Sequence, residues 1–303
     1  MPFRPTFRQL EYIVALHDLR TFAKAARHCN VSQPTLSVQI ALVEGGLKTP
    51  LFERTSSQVI PTPAGERLAR GARVLLASMD ELLGDLSGQA AALGGTIRLG
   101  TPPTFGPYFL SKLLPKLHEQ YPALQVYIRE DNPTAIEGLV ADGSLDCGIG
   151  PSPEHTGLAF ARIGREKLYL GVPAEHVLAG RSTVSLRDLA GQKLLALGRG
   201  HRLLENVRHL AEASGARIVD DFEGTSLDAI RQMVSIGMGL SVFPELYARA
   251  EFRPQDDVRL IEFTDWNEQR EVGLYWREPS GRERHYRALA EAADGVGAVL
   301  GLR

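Results

Sequence analysis

Cysteine is nearly missing from this chain: Cys29 and Cys147 are its two in 303 residues. There is no CxxC pair and no Cys/His set at metal-ligand spacing. That argues against a disulfide scaffold or a zinc module, and no metal is expected. No apolar run approaches the ~18 residues that a membrane span needs, so no membrane partner is expected. Met1–Leu10 carries two Arg and two Pro and no apolar core, so no secretory signal is predicted and the chain is expected to be cytoplasmic. Motifs of catalysis are also missing. There is no nucleophile elbow and no Gly-rich phosphate loop, and Gly198-Arg199-Gly200-His201 is too short for a dinucleotide fingerprint. No catalytic residue and no cofactor is expected.

What remains is ordinary soluble globular composition, 44% apolar and 23% charged. The length allows two or three domains. The net charge of −2 hides an asymmetry. Residues 1–65 carry seven Lys or Arg against four acids, a net +3, which leaves −5 for the rest. The basic end is the one that phosphate would attract, by a margin modest enough to favour two copies acting together.

The segment Thr21–Glu44 reads as two short helices around a tight turn. Phe22, Ala25 and Ala26 fall at i, i+3, i+4 and make a small apolar face that lets a second helix approach. Asn30-Val31 makes the turn. Ser32 is an N-cap and Pro34 sits in the first turn, where its missing N–H costs little. Leu36, Ile40 and Val43 form a buried stripe, with Gln33, Thr35, Ser37, Val38 and Gln39 facing away. Gln pairs bidentately with adenine, and Ser and Thr bond bases or phosphates. The plain alternative is a helical hairpin with a polar face. The flanks favour a helix-turn-helix: Leu51-Phe52-Glu53-Arg54 and Val59-Ile60-Pro61 surround a polar turn, as in a wing. The expected DNA contacts are Thr21, Ser32, Gln33, Pro34, Thr35, Ser37, Val38 and Gln39, with Arg54 and Ser56 from the wing.

From Pro63 to Gly94, Leu68, Ala72, Leu75, Met79, Leu82 and Leu86 alternate in steps of four and three. That spacing predicts a long linker helix with a homodimer seam, the plain alternative being an amphipathic helix packed on its own domain. Beyond it, strands alternate with helices, which predicts an α/β domain with parallel sheet. The expected divisions are residues 1–65 for DNA binding, 66–94 for the linker, and 95–303 for a sensing domain. The last comprises lobe I (about 95–164 and 268–303) and lobe II (about 165–267).

Leu10-Glu11, Phe22, Ala25-Ala26, Ser32-Gln33-Pro34, Ser37, Ile40, Leu51-Phe52-Glu53-Arg54 and Thr62-Pro63-Ala64-Gly65 together resemble the LysR-type transcriptional regulators. The chain departs from that pattern at Val43-Glu44-Gly45-Gly46-Leu47-Lys48. Two glycines there are expected to loosen the end of the recognition helix, at roughly 1 kcal/mol each. The resemblance implies a winged helix-turn-helix, a dimerising linker helix and a two-lobed effector domain built like a periplasmic binding protein. It also implies double-stranded DNA, a small-molecule effector and a second copy of the chain as partners, in a homodimer or a homotetramer. A regulator of transcription further admits RNA polymerase.

Thr104-Phe105-Gly106-Pro107-Tyr108, Leu145-Asp146-Cys147, Gly198-Arg199-Gly200-His201 and Thr225–Met233 resemble the OxyR-like branch, the peroxide sensors. That branch places its reactive cysteine directly after Gly-His and its partner cysteine nine residues on. Here those positions are Arg202 and Ala211, and neither can form a disulfide. Cys147 matches a structural position of the branch. Ligands bind off the carboxyl ends of strands in such sheets, which selects Thr104, Pro133, Thr134, His201, Arg202, Thr225 and Ser226 as effector contacts, the plain alternative for Thr104 and for Thr225-Ser226 being helix N-caps. Arg202, whose planar fork suits a carboxylate, points to a small anion unless it simply pairs with an acid such as Glu205. Two alternatives remain at this level: redox control through Cys29 or Cys147, and an enzyme or solute-binding protein on the two-lobed fold.

Overall fold

The structure is a computed structural model. It describes residues 3–54, 58–86, 93, 95–220, 222–253, 255–278 and 280–302. The described residues fall into two compact units, one N-terminal and one running from Leu93.

The N-terminal unit begins with α1 (Phe7–Leu19), opened by a capping box in which Thr6 accepts from the Gln9 amide and Gln9 accepts from the Thr6 amide. It buries Leu10, Tyr12, Ile13, Ala15 and Leu16. Helix α2 (Phe22–His28) packs on it through Ala25 and Ala26, both buried. The chain then turns at Asn30, whose φ of 55° is left-handed, and enters α3 (Gln33–Leu47), with Ser32 as N-cap. Leu36, Ile40 and Val43 fill the core as their spacing predicts.

The end of α3 is not loosened. The helix runs unbroken to Leu47, and Gly46 has a packing role: a Cβ there would lie 2.4 Å from the Phe3 ring. Strands β1 (Phe52–Arg54) and β2 (Val59–Pro61) pair antiparallel as the wing. Glu44 reaches across from α3 and accepts from the amides of Leu51 (2.7 Å) and Phe52 (3.0 Å). A carboxylate on two backbone donors makes the strong kind of hydrogen bond, and it ties the helix to the wing. Gly65 has no alternative, since a Cβ would lie 2.0 Å from the Leu51 carbonyl oxygen.

Helix α4 (Pro63–Leu86) follows. Of the expected seam, Ala72 is buried and Leu68 half-buried in this unit's own core, alongside Ala69 and Leu76. That part of the seam is used at home. Leu75 and Leu82 are exposed, as are Val74 and Leu83, and Met79 is half-buried. Residues 87–92 and 94, and the side chain of Leu86, lie outside the described residues.

The second unit is mixed rather than parallel. Its first half contains β3 (Gly95–Thr101), α5 (Gly106–Gln120), β4 (Leu124–Glu130), α6 (Pro133–Ala141), β5 (Cys147–Pro151) and β6 (Leu158–Pro173). Then come β7 (Thr183–Val184), a 3₁₀ turn (Leu186–Leu189), β8 (Lys193–Leu194), α7 (Arg202–Ser214), β9 (Arg217–Ile218), α8 (Leu227–Ser235), β10 (Ser241–Pro244), α9 (Glu245–Glu251) and β11 (Val258–Phe263). Strand β12 (Gln269–Arg277) and α10 (Glu283–Leu300) complete it. The main sheet runs β4-β3-β5-β12-β6-β11-β7, with β10 also on β6. Strands β3, β4 and β5 are parallel, but β12 is antiparallel to both β5 and β6. The reason is topological: β12 returns from the far lobe without a crossover helix.

Two cores define the lobes. One gathers Leu99, Phe109, Ile149, Leu274, Trp276 and Tyr286, so the closing strand and helix pack with the first lobe. The other gathers Leu170, Leu195, Val207, Ile230, Phe243 and Tyr247. Strand β6 serves both: Leu158–Lys167 pairs with β12, and Leu168–Pro173 with β10 and β11.

Replacing Glu44 by Gln weakens two charge-assisted bonds to the wing. Hydrogen-exchange mass spectrometry of the full chain should show faster exchange around Leu51 and Phe52, with α1 unchanged.

Candidate nucleic-acid interface and effector cleft

On the N-terminal unit, the side chains expected to read DNA form one exposed face of α3. Gln33, Thr35 and Val38 are exposed and Ser37 is half-buried. Several are already engaged. Ser32 and Thr35 bond each other through their hydroxyls at 2.7 Å. Gln39 accepts from Gln9 at 3.0 Å. Arg54 lies over the Phe22 ring at 4.5 Å and donates to the Ser37 hydroxyl at 3.3 Å, so the wing's cation rests on the recognition helix. Pro34 occupies the first turn. The Thr21 hydroxyl is buried and faces no solvent, which leaves only its backbone to meet a phosphate. Ser56 lies outside the described residues.

In the second unit, Thr134, His201 and Arg202 come together in a cleft of about 670 Å³ also lined by Glu154, Arg199 and Arg208. The cleft is where the lobes touch. The Gly200 carbonyl accepts from the Thr134 amide and hydroxyl, both at 3.3 Å. Gly200 has φ +87°, and a Cβ would meet the Asn132 side chain at 2.7 Å, so glycine is required. Pro133 is buried at the start of α6 and does not line the cleft.

Two expected anion contacts are already committed. Arg202 donates to Glu137 at 2.6 Å and to Glu154 at 2.5 Å. Its partner is not Glu205, which pairs with Arg208. Glu137 also accepts from the amides of Glu154 and His155. Sequence reading missed Glu137, although a single carboxylate in the apolar helix Pro133-Thr134-Ala135-Ile136-Glu137-Gly138-Leu139-Val140 is a signal.

Thr104 is likewise taken. Its hydroxyl accepts from Arg270 at 3.0 Å and its carbonyl at 3.2 Å. Arg270 pairs with Glu166, whose other oxygen accepts from the Leu246 amide at 2.7 Å. All three side chains are buried. Thr104 is therefore part of the cleft's framework, not a free contact. Thr225 is exposed and Ser226 caps α8 by accepting from Ala229; neither lines this cleft.

Burial and the nearby Arg270 cation push the His201 pKa down. Burial raises the Cys29 thiol and raises Cys147 well above the ordinary range. Both cysteines are buried, Cys147 completely. Peroxide chemistry needs a thiolate, and these surroundings oppose one.

A capped recognition helix with a wing, joined in one chain to a two-lobed α/β sensor, defines a DNA-binding regulator. Residues 7–66 match the family described as bacterial regulatory helix-turn-helix protein, lysR family, and residues 90–297 match the LysR substrate binding domain. The chain belongs to the LysR family of transcriptional regulators. It is 36% identical over 286 residues to the DNA-binding transcriptional dual regulator OxyR of Escherichia coli, covering 94% of this chain and 93% of that one. It is 32% identical over 290 residues to a probable hydrogen peroxide-inducible genes activator of Mycobacterium avium, covering 95% and 93%. Among solved structures, a full-length OxyR cysteine-to-aspartate variant from Pseudomonas aeruginosa superposes with a TM-score of 0.79 at 29% identity, covering 96% and 95%. A Corynebacterium glutamicum OxyR cysteine mutant gives 0.69 at 29%, covering 100% and 98%.

Two measurements follow from the titrating groups. With its folded pKa below the ordinary 6.5, His201 favours the neutral form, so its contribution to stability is intact above that pH and is lost as pH falls toward the folded value. His201→Gln should therefore lose less Tm than the parent as pH is lowered through the ordinary imidazole value of 6.5. A thiol reagent should modify neither cysteine in the native chain and both after denaturation.

Proposed function

We propose that this regulator is controlled by a small carboxylate- or phosphate-bearing molecule that enters the Arg202 cleft. The observation that carries the reading is the asymmetry of the Arg202 pair. The Glu137 side chain is 5% exposed and the Glu154 side chain 72%. Glu137 is a fixed counter-ion, held by two further amide bonds. Glu154 is the exchangeable one, since a solvated carboxylate gives up little when an anion replaces it on the guanidinium. Arg199 and Thr134, from the two lobes, also line the cleft. An occupant there would touch both lobes and shift their relative populations.

Self-association follows in the same reading. The exposed Val74, Leu75, Leu82 and Leu83 of α4 are a face for a second copy. Two copies would set their recognition helices about one turn of DNA apart, roughly 34 Å, and two dimers could bend the DNA between them. Such a protein works in the cytoplasm, where DNA and RNA polymerase are. The peroxide response in the relatives' names does not transfer through the same chemistry, because Arg202 stands where the OxyR-like branch has its cysteine.

The test is a titration of the full-length protein with small mono- and dicarboxylates and with inorganic phosphate, followed by Tm and by DNA footprinting. A binder should raise Tm, and one at 100 times its Kd adds about 2.7 kcal/mol. Arg202→Met should abolish the shift, and Glu154→Gln should tighten binding by removing the competing carboxylate. If no anion moves Tm and Arg202→Met still regulates, the reading is wrong.

A further inference from the structure

The recognition helix has almost no polar group left with which to read bases. Helix α3 is 15 residues, Gln33 to Leu47, and contains no lysine or arginine. Its one acid, Glu44, is spent on the wing amides. Among the outward residues, Thr35 is bonded to Ser32, Ser37 to Arg54 and Gln39 to Gln9. What the middle of the helix presents instead is apolar. Val38 is 57% exposed and Leu42 54%. They are four residues apart, hence neighbours on one helix face, and they lie opposite the buried Leu36, Ile40 and Val43. Among the described residues, neither belongs to the unit's apolar core.

Single exposed apolar residues need no explanation. Two in contact distance along the outer face of a recognition helix do, because that face enters the major groove. The apolar group that base edges offer there is the thymine 5-methyl. Cationic phosphate contacts must then come from outside α3. Lys24, Arg27, Lys48 and Arg54 supply cations on the flanking elements. Charge and base reading are thus divided between different residues.

We propose that Val38, extended by Leu42, reads thymine methyl groups in each half-site and is a specificity-determining residue of this regulator. The proposal rests on the family's DNA binding and adds the chemistry by which bases are told apart. Cytosine at the same place offers an amino donor and no methyl, so the apolar pair rejects it by leaving that donor without a partner. Gln33, at the exposed first position of α3, carries the amide suited to adenine.

The experiment uses the full-length protein and a duplex recovered by selection from a random-sequence library. Each thymine of the bound duplex is replaced in turn by deoxyuridine, which keeps every hydrogen-bonding group and lacks the methyl. At least one replacement per half-site should weaken binding about fourfold, the equivalent of ~0.8 kcal/mol for a buried methyl at ~1.4 kcal/mol per factor of ten. Val38→Ala should bind the thymine and deoxyuridine duplexes alike, with the dependence of log Kd on log salt unchanged because no phosphate contact is lost. Alanine is a good helix former, so the variant should keep its fold, which circular dichroism checks. Leu42→Ala is the second variant and should lose part of the discrimination. If every deoxyuridine duplex binds like its parent, the inference is overturned while DNA binding stands. It is also overturned if Val38→Ala alters oligomeric state by light scattering but not base preference, since the face would then contact a second copy. Failure to recover any duplex would remove both the inference and the DNA-binding reading beneath it.

Discussion

The ion pair between Glu166 and Arg270 holds the sensing unit in register. The two residues face each other directly across β6 and β12, the strands shared by the lobes. Burying two charges costs several kcal/mol, and the pair is tolerable only if its remaining donors and acceptors are satisfied. Here they are. The second Glu166 oxygen takes the Leu246 amide at the start of α9, and Arg270 holds the hydroxyl and carbonyl of Thr104. One pair therefore fixes the loop ahead of α5, the two shared strands and the start of α9. Slipping β12 by one residue would strand a buried guanidinium on the wrong face. Burial first, and this same cation second, depress the His201 pKa, so the framework contributes to the electrostatics of the cleft.

Much of the N-terminal unit was legible because local signals agree there. Ser32 as cap, Asn30 in the turn and the spacing of Leu36, Ile40 and Val43 each favour the same arrangement. Propensity ignores tertiary contact, and at Gly46 a side chain would enter the space of the Phe3 ring, whereas Gly45 faces open space and the helix simply continues through it. The apolar stripe of α4 is partly taken up within the unit for a similar reason. A heptad pattern identifies an apolar face without saying which partner covers it, and Leu68 and Ala72 find theirs at home.

The effector region was harder to read. The sequence placed His201, Arg202 and Thr134 near one another through the rule that strands present their carboxyl ends to ligands. It did not reveal Glu137, Glu154 or Glu166 as partners, since those contacts span 65, 48 and 104 residues of chain to Arg202, Arg202 and Arg270. No periodicity reports such a distance. The parallel sheet was over-extended too, because alternating strands and helices do not reveal a strand that crosses between lobes. Where the OxyR-like pattern has its cysteine, a guanidinium takes two carboxylates.

The division of labour on α3 bears on how such a regulator can change over time. The residues that fold the helix are Ser32, Leu36, Ile40, Val43, Glu44 and Gly46. The open positions Gln33, Val38 and Leu42 are not among them. Exposed substitutions away from such anchors usually alter stability by no more than about 0.5 kcal/mol. Successive mutations at these three positions can therefore explore new operator sequences without first unfolding the domain. A duplicated copy of this gene would be free to drift toward a different set of promoters while its sensing half stayed the same.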